Sequence, residues 1–114
     1  MPHEVTEADT AQALGSGDVP VLATPRLIAW LEAATVRAAQ TLLTSGQTTV
    51  GVTIRVEHRR PTAVGGSVEV IASPPRVAGR RLSFDVEAVD DAGRVVADGQ
   101  IDRVIVDRER FVAT

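Results

Sequence analysis

Residues 24–44 read TPRLIAWLEAATVRAAQTLLT, and the fold turns on this run. Thr24 is a good N-cap, because its hydroxyl can accept from an orphan backbone N–H, and Pro25 suits a first helical turn. Gly46 supplies a stop. The expectation is one helix of roughly twenty residues, from Thr24 to about Thr44. At about 100° per residue, Arg26, Arg37 and Gln40 form its polar stripe, with Ile28, Leu31, Thr35, Leu42 and Leu43 opposite.

Beyond the helix the chain alternates with period two. Val50, Val52, Ile54 and Val56 share one face of a strand from about Gln47 to Arg60. A turn at Thr62-Ala-Val-Gly-Gly66 leads to a second strand over Ser67–Ala72, which Pro74-Pro75 interrupts. A third runs over about Arg80–Val89, with Leu82, Phe84, Val86 and Ala88 on one side. Asp91-Ala-Gly93 then turns the chain into a fourth, from Arg94 to about Asp107. Ahead of the helix, His3 to Glu7 suits a short edge strand, and Leu14-Gly-Ser-Gly-Asp18 reads as a loop. A sheet needs one face covered, and only one helix is available. Curling the antiparallel sheet around that helix solves the problem, and pairing with a second copy would bury the exposed edges. This is an α+β hotdog architecture, working as a dimer.

Composition sets the bounds. A chain of 114 residues, 44% hydrophobic and 24% charged, has room for one domain and one core, taken as residues 1–114. No apolar run is long enough to span a bilayer, and residues 1–10 lack a signal pattern, so the expected setting is cytoplasmic with no membrane partner. With no cysteine, disulfides, thiolate metal sites and thiol nucleophiles are excluded. His3 and His58 are too far apart in sequence to suggest a metal motif, so no metal is expected. A net charge of −3 and only three aromatic residues argue against nucleic acid. All twelve basic residues are arginine. The adjacent pairs Arg59–Arg60 and Arg80–Arg81 could meet phosphates bidentately, or could be solvated strand ends.

Three polar residues break the apolar pattern. Glu32 projects about 140° from Arg37, among Ile28, Ala39 and Leu43. A carboxylate there is costly to desolvate unless it is paired. Either it lies at the border of the stripe and reaches water or an arginine, or it is placed for chemistry. His58 continues the face of Val50 to Val56 and should point inward; alone it would read as a satisfied core histidine. Arg103 shares the face of Ala97, Ile101 and Ile105 and needs an anionic partner, whether Glu32, another acid or a ligand.

The stretch Gly15-Ser-Gly-Asp-Val-Pro-Val-Leu-Ala-Thr-Pro-Arg-Leu-Ile28, continuing to Trp30-Leu-Glu-Ala-Ala34, resembles the fluoroacetyl-CoA thioesterase-like group of hotdog proteins. Gly46-Gln-Thr-Thr-Val-Gly-Val52 through Val56-Glu-His58 is similar, as is the ending Arg103 to Phe111. The resemblance spans about residues 4–111. It implies hydrolysis of an acyl-CoA thioester, with Thr24, Glu32 and His58 as the catalytic residues. It also implies that Gly51 lines the acyl-thioester site and that Arg103 contacts the ligand. No cofactor is implied, CoA being part of the substrate. The partners implied are the acyl-CoA and a second copy of the chain, with further pairing into tetramers left open. In the fluoroacetyl-specific enzyme, aromatic residues before the helix are associated with a lid over the acyl pocket. Residues 4–23 here hold none, so another short or medium acyl group fits at least as well. The fold also hosts acyl-thioester hydratases or dehydratases and non-catalytic acyl-CoA binders.

Overall fold

The computed structural model describes residues 1–113. Six strands form one antiparallel sheet: β1 (Pro2–Glu4), β2 (Gln47–His58), β3 (Ser67–Ala72), β4 (Arg76–Ala78), β5 (Arg81–Asp90) and β6 (Val95–Asp107). The spatial order is β1-β3-β5-β6-β2, and β4 also pairs with β5. Pro74-Pro75 splits what would be one strand along β5. β3 covers Val86–Asp90 of β5, whereas β4 covers Arg81–Ser83. Helix α2 (Thr24–Ala39) lies on the concave face. Two short helices, α1 (Ala11–Leu14) and α3 (Arg108–Val112), were not anticipated from the pattern. The hotdog arrangement expected from element order is the one observed.

Burial across the layers explains the packing. Leu27, Leu31, Ala34, Thr35 and Ala39 of α2 are buried against Val68 and Val70 of β3, Leu82, Phe84, Val86 and Ala88 of β5, and Val96, Ala97 and Ile101 of β6. The period-two face expected for β5 is therefore its core face. The helix is shorter than expected and its buried stripe is rotated. It passes at Ala39 into a 3-10 turn over Gln40–Leu42, so Leu42 ends up exposed and Leu27 takes a core place instead of Ile28. β2 supplies no fully buried apolar side chain; Val56 packs only partly against the core. The interior is thus closed on the β3–β5 side and looser beside β2, the last strand of the sheet.

One expectation for β2 fails. The register with β6 shifts between Gly51 and Thr53, leaving Val52 as an extra residue. A bulge of one residue exchanges the two faces of a strand. Thr49 and Gly51, opposite Ile105 and Arg103, therefore share the inner face before the bulge, while Ile54, Val56 and His58 hold it afterwards. Val50 lies on the other face, opposite Val104. Glycine allows the strands to crowd at Gly99 too, where a Cβ would overlap the Arg55 carbonyl.

The chain before α2 forms an arm over the start of the helix. Ala23 donates its N–H to the Asp9 carbonyl (2.9 Å), and Leu22 donates to Thr62 (2.8 Å). Arg26 pairs with Asp9 at 3.1 Å. These bonds lay residues 11–22 beside the C-terminal end of β2. No helix among the described residues is long and apolar enough to cross a membrane.

Candidate active site

Thr24 does not cap α2. Ala23 is the N-cap, with no side-chain cap bond, and Thr24 is the first residue inside the helix. Its hydroxyl is thereby released from the backbone and lies 2.8 Å from His58 Nδ1, the donor depending on the imidazole tautomer. His58 ends β2, opposite buried Ala97, so it faces inward as its alternation predicted. Burial pushes its pKa below the ordinary 6.5, opposed by a backbone hydrogen bond at Arg60. The ring is accordingly neutral near pH 7 and able to take a proton. Thr24 and His58 line an open cavity of about 310 Å³, walled on its apolar side by Val19, Val21 and Leu22 of the arm.

A second pair sits further along the helix. Glu32 Oε2 lies 3.3 Å from Arg103 NH1, which answers the question of what neutralises each. Arg103 is only 6% exposed. Its Nε donates to Thr49 Oγ1 (2.8 Å) and its NH2 to the Thr49 carbonyl (3.1 Å), so the guanidinium is held rigidly. The Glu32 side chain remains 35% exposed. Its carboxylate occupies the space left by the missing side chain of Gly51, where a Cβ would fall 2.5 Å from Oε2.

The five residues singled out in the sequence therefore form two groups, Thr24–His58 and Glu32–Arg103–Gly51. Among the described residues no hydrogen bond or ion pair joins them. Thr24 and Glu32 lie eight residues apart on α2, about 12 Å along its axis. Thr49 was missed, because unbroken alternation would place Val50 and Val52 inside instead. A glycine within a strand was the available sign of the bulge that brings Thr49 inward.

A family model for the fluoroacetyl-CoA-specific thioesterase matches residues 5–109. The chain belongs to this family. Fluoroacetyl-CoA thioesterase from Streptantibioticus cattleyicolor is 36% identical over 93 residues, which span 82% of this chain and 66% of that protein. The chain thus matches just under two thirds of that relative's length. A structure of the fluoroacetyl-CoA thioesterase FlK superposes with a TM-score of 0.90 at 31% identity, covering 99% of this chain and 87% of the other. Its threonine-to-serine mutant in complex with acetyl-CoA gives 0.91 at 29% identity, covering 99% and 89%. A thioesterase superfamily member from Thermus thermophilus gives 0.91 at 25% identity, covering 99% and 83%. As a family member, the chain keeps the overall fold closely. The arm over the helix start lacks aromatic side chains, and its cavity walls are small and aliphatic.

Proposed function

We propose that this protein hydrolyses a short or medium acyl-CoA thioester to the free acid and CoA. The observation that carries the reading is the released Thr24 hydroxyl bonded to His58 on a cavity, with the Glu32 carboxylate of the same helix aimed by the buried Arg103 of β6. The net reaction adds water across the acyl–sulfur bond, with the hydroxyl going to the acyl carbon and the proton to the sulfur. Glu32 either attacks the carbonyl carbon or removes a proton from the water that does. His58, neutral near pH 7, takes up the proton that the water releases and passes it to the departing thiolate, and Thr24 fixes the orientation of its ring. The Gly51 backbone, free of a side chain, can approach the carbonyl oxygen as charge develops there. A guanidinium has five N–H donors, and Arg103 spends three on Glu32 and Thr49, leaving two for the ligand.

The working unit in this proposal is a homodimer. β2 ends the sheet with twelve residues and no partner on its outer side, and it exposes Val52 (48%) and Ile54 (41%). A long apolar edge of this kind invites pairing with a second copy.

A panel of acyl-CoAs assayed with a thiol-detecting reagent tests the activity. Wild type should release CoA, and Glu32→Ala and His58→Ala should not. No release from any acyl group would sink the proposal and leave a binding protein. Single turnover in heavy-oxygen water separates the two roles of Glu32, since only the covalent route labels its carboxylate.

A further inference from the structure

The two arginine pairs of the sequence have different fates. Arg81 is committed, donating from Nε (3.1 Å) and NH2 (2.8 Å) to Asp102 and from NH2 to Thr53 Oγ1 (3.1 Å). Arg80 donates to the Ile105 carbonyl. Arg59 and Arg60 follow His58 directly, and they line both the Thr24–His58 cavity and a neighbouring open cleft of about 570 Å³. Arg94, Val95 and Asp98 complete that cleft. A path thus runs from the Thr24–His58 pair, past two arginines, to a third.

The electrostatics of this path favour an anion. Of the three guanidinium groups on the cleft, Arg59 and Arg94 are matched by carboxylates, and Arg60 alone brings an unpaired positive charge. Arg59 is tied to Asp98 (3.0 Å) and Glu57 (3.2 Å), and Arg94 to Asp90 (3.0 Å), all through exposed groups on the arginine side. Both are gripped by Nε and NH2 on one carboxylate, as Arg81 is, so each keeps only its spare N–H groups for a further anion. Among the described residues Arg60 makes no ion pair at all. Its backbone is nevertheless fixed, because the N–H groups of both Arg59 and Arg60 donate to the Val96 carbonyl (2.7 and 3.2 Å). A held backbone carrying an uncommitted guanidinium is a suitable phosphate receiver.

We infer that Arg60, assisted by Arg59 and Arg94, receives the phosphate groups of the CoA nucleotide, so that the enzyme selects free CoA thioesters by their charged end. This rests on the thioesterase reading of the adjoining cavity. Pantetheine places the thioester at one end of the ligand and the diphosphate and 3′-phosphate at the other, matching a cavity that runs from Thr24 and His58 past Arg60 into an open cleft. A thioester on a carrier protein presents only one phosphodiester there, and is the poorer fit.

Steady-state kinetics on acetyl-CoA and acetyl-pantetheine, at low and high salt, test the inference. Arg60→Gln should raise KM for acetyl-CoA about tenfold with kcat unchanged. It should leave kcat/KM for acetyl-pantetheine as in wild type, and the gap should narrow as salt rises. Arg81→Gln serves as the control and should change neither. Equal losses on both substrates, or an unaltered KM for acetyl-CoA, would overturn the assignment. Should wild type hydrolyse neither substrate, the thioesterase reading fails, and calorimetry with CoA and pantetheine decides this one separately. CoA should then bind at least tenfold more tightly than pantetheine, and lose that advantage in Arg60→Gln; equal affinities would refute it.

Discussion

Gly51 stands opposite Arg103 in the β2–β6 ladder, and the Glu32 carboxylate rests where its side chain would be. In Gly51→Ala the new Cβ falls 2.5 Å from Glu32 Oε2 and 3.4 Å from Arg103 NH1. Non-bonded heavy atoms settle at roughly 3.5 Å, so the carboxylate must retreat by about 1 Å. That movement takes it off the 3.3 Å contact with Arg103. The stability cost is moderate, because the displaced atom ends a flexible, part-exposed side chain but its partner Arg103 is buried, and a buried donor that loses its acceptor costs about 1–3 kcal/mol. Gly51 does not have a positive φ, so alanine recovers about 0.4–1 kcal/mol by restricting the unfolded chain. The second term offsets only part of the first, and Tm should fall by less than about 10 °C. Catalysis should suffer far more, since misplacing a reacting group by about 1 Å costs on the order of 100-fold. Thiol release from an acyl-CoA gives kcat, and a thermal melt gives Tm. In a Glu32→Gln background the same substitution should add little further loss, the two residues acting through one contact. A wild-type kcat in Gly51→Ala would refute the geometry. A Tm lowered by more than about 10 °C would show that Gly51 serves the fold instead.

Thr24→Ala should lower kcat by about 10- to 100-fold and leave Tm almost unchanged, while Thr24→Ser keeps most activity. A loss near 1 kcal/mol in denaturant melts would instead make Thr24 a helix cap. Thr49→Val leaves the buried Arg103 Nε without its acceptor and should cost about 1–3 kcal/mol in urea unfolding, with kcat falling as Glu32 loosens; unaltered stability would contradict the bonding described. His58 and His3 are both held below 6.5, His58 by burial, and His3 by burial and then the N-terminal amine and Arg37 against Asp9. Lowered folded values mean that the unfolded chain binds more protons, so this stability is complete above pH 6.5 and drains away as pH falls toward the folded values. Tm should therefore drop from pH 7 to 5, less so in His58→Gln, and a flat wild-type profile would count against buried neutral rings. Ile54→Lys puts a charge on the exposed edge strand and should yield monomers of reduced activity in sedimentation and kinetic runs; an unchanged dimer would move the interface elsewhere.

Much of the fold was legible because it is written in short-range periodicity. Leu82, Phe84, Val86 and Ala88 alternate cleanly, and β5 buries that face against the helix. The double proline divided the strand beside β5 into β3 and β4, as its missing N–H groups require. Where local pattern misled, a one-residue event was responsible. The bulge at Val52 exchanged the faces of β2, and the early end of α2 at Ala39 moved Leu42 into solvent.

The site divides in the same way. Glu32, His58 and Arg103 stood out in the sequence because each places a polar group on an apolar face, a property of neighbours two to four residues away, whereas Thr24 read as a helix cap and entered the site only through the family resemblance. Their partners were another matter. Arg103 finds Glu32 across 71 positions and Thr49 across 54, and Thr24 finds His58 across 34. Hydrophobic periodicity says which way a side chain points, but only the sheet register and the seating of the helix bring such distant groups within hydrogen-bonding distance. For the same reason composition could count the arginines, yet only the packed chain left Arg60 uncommitted beside the Thr24–His58 cavity and tied Arg81 down.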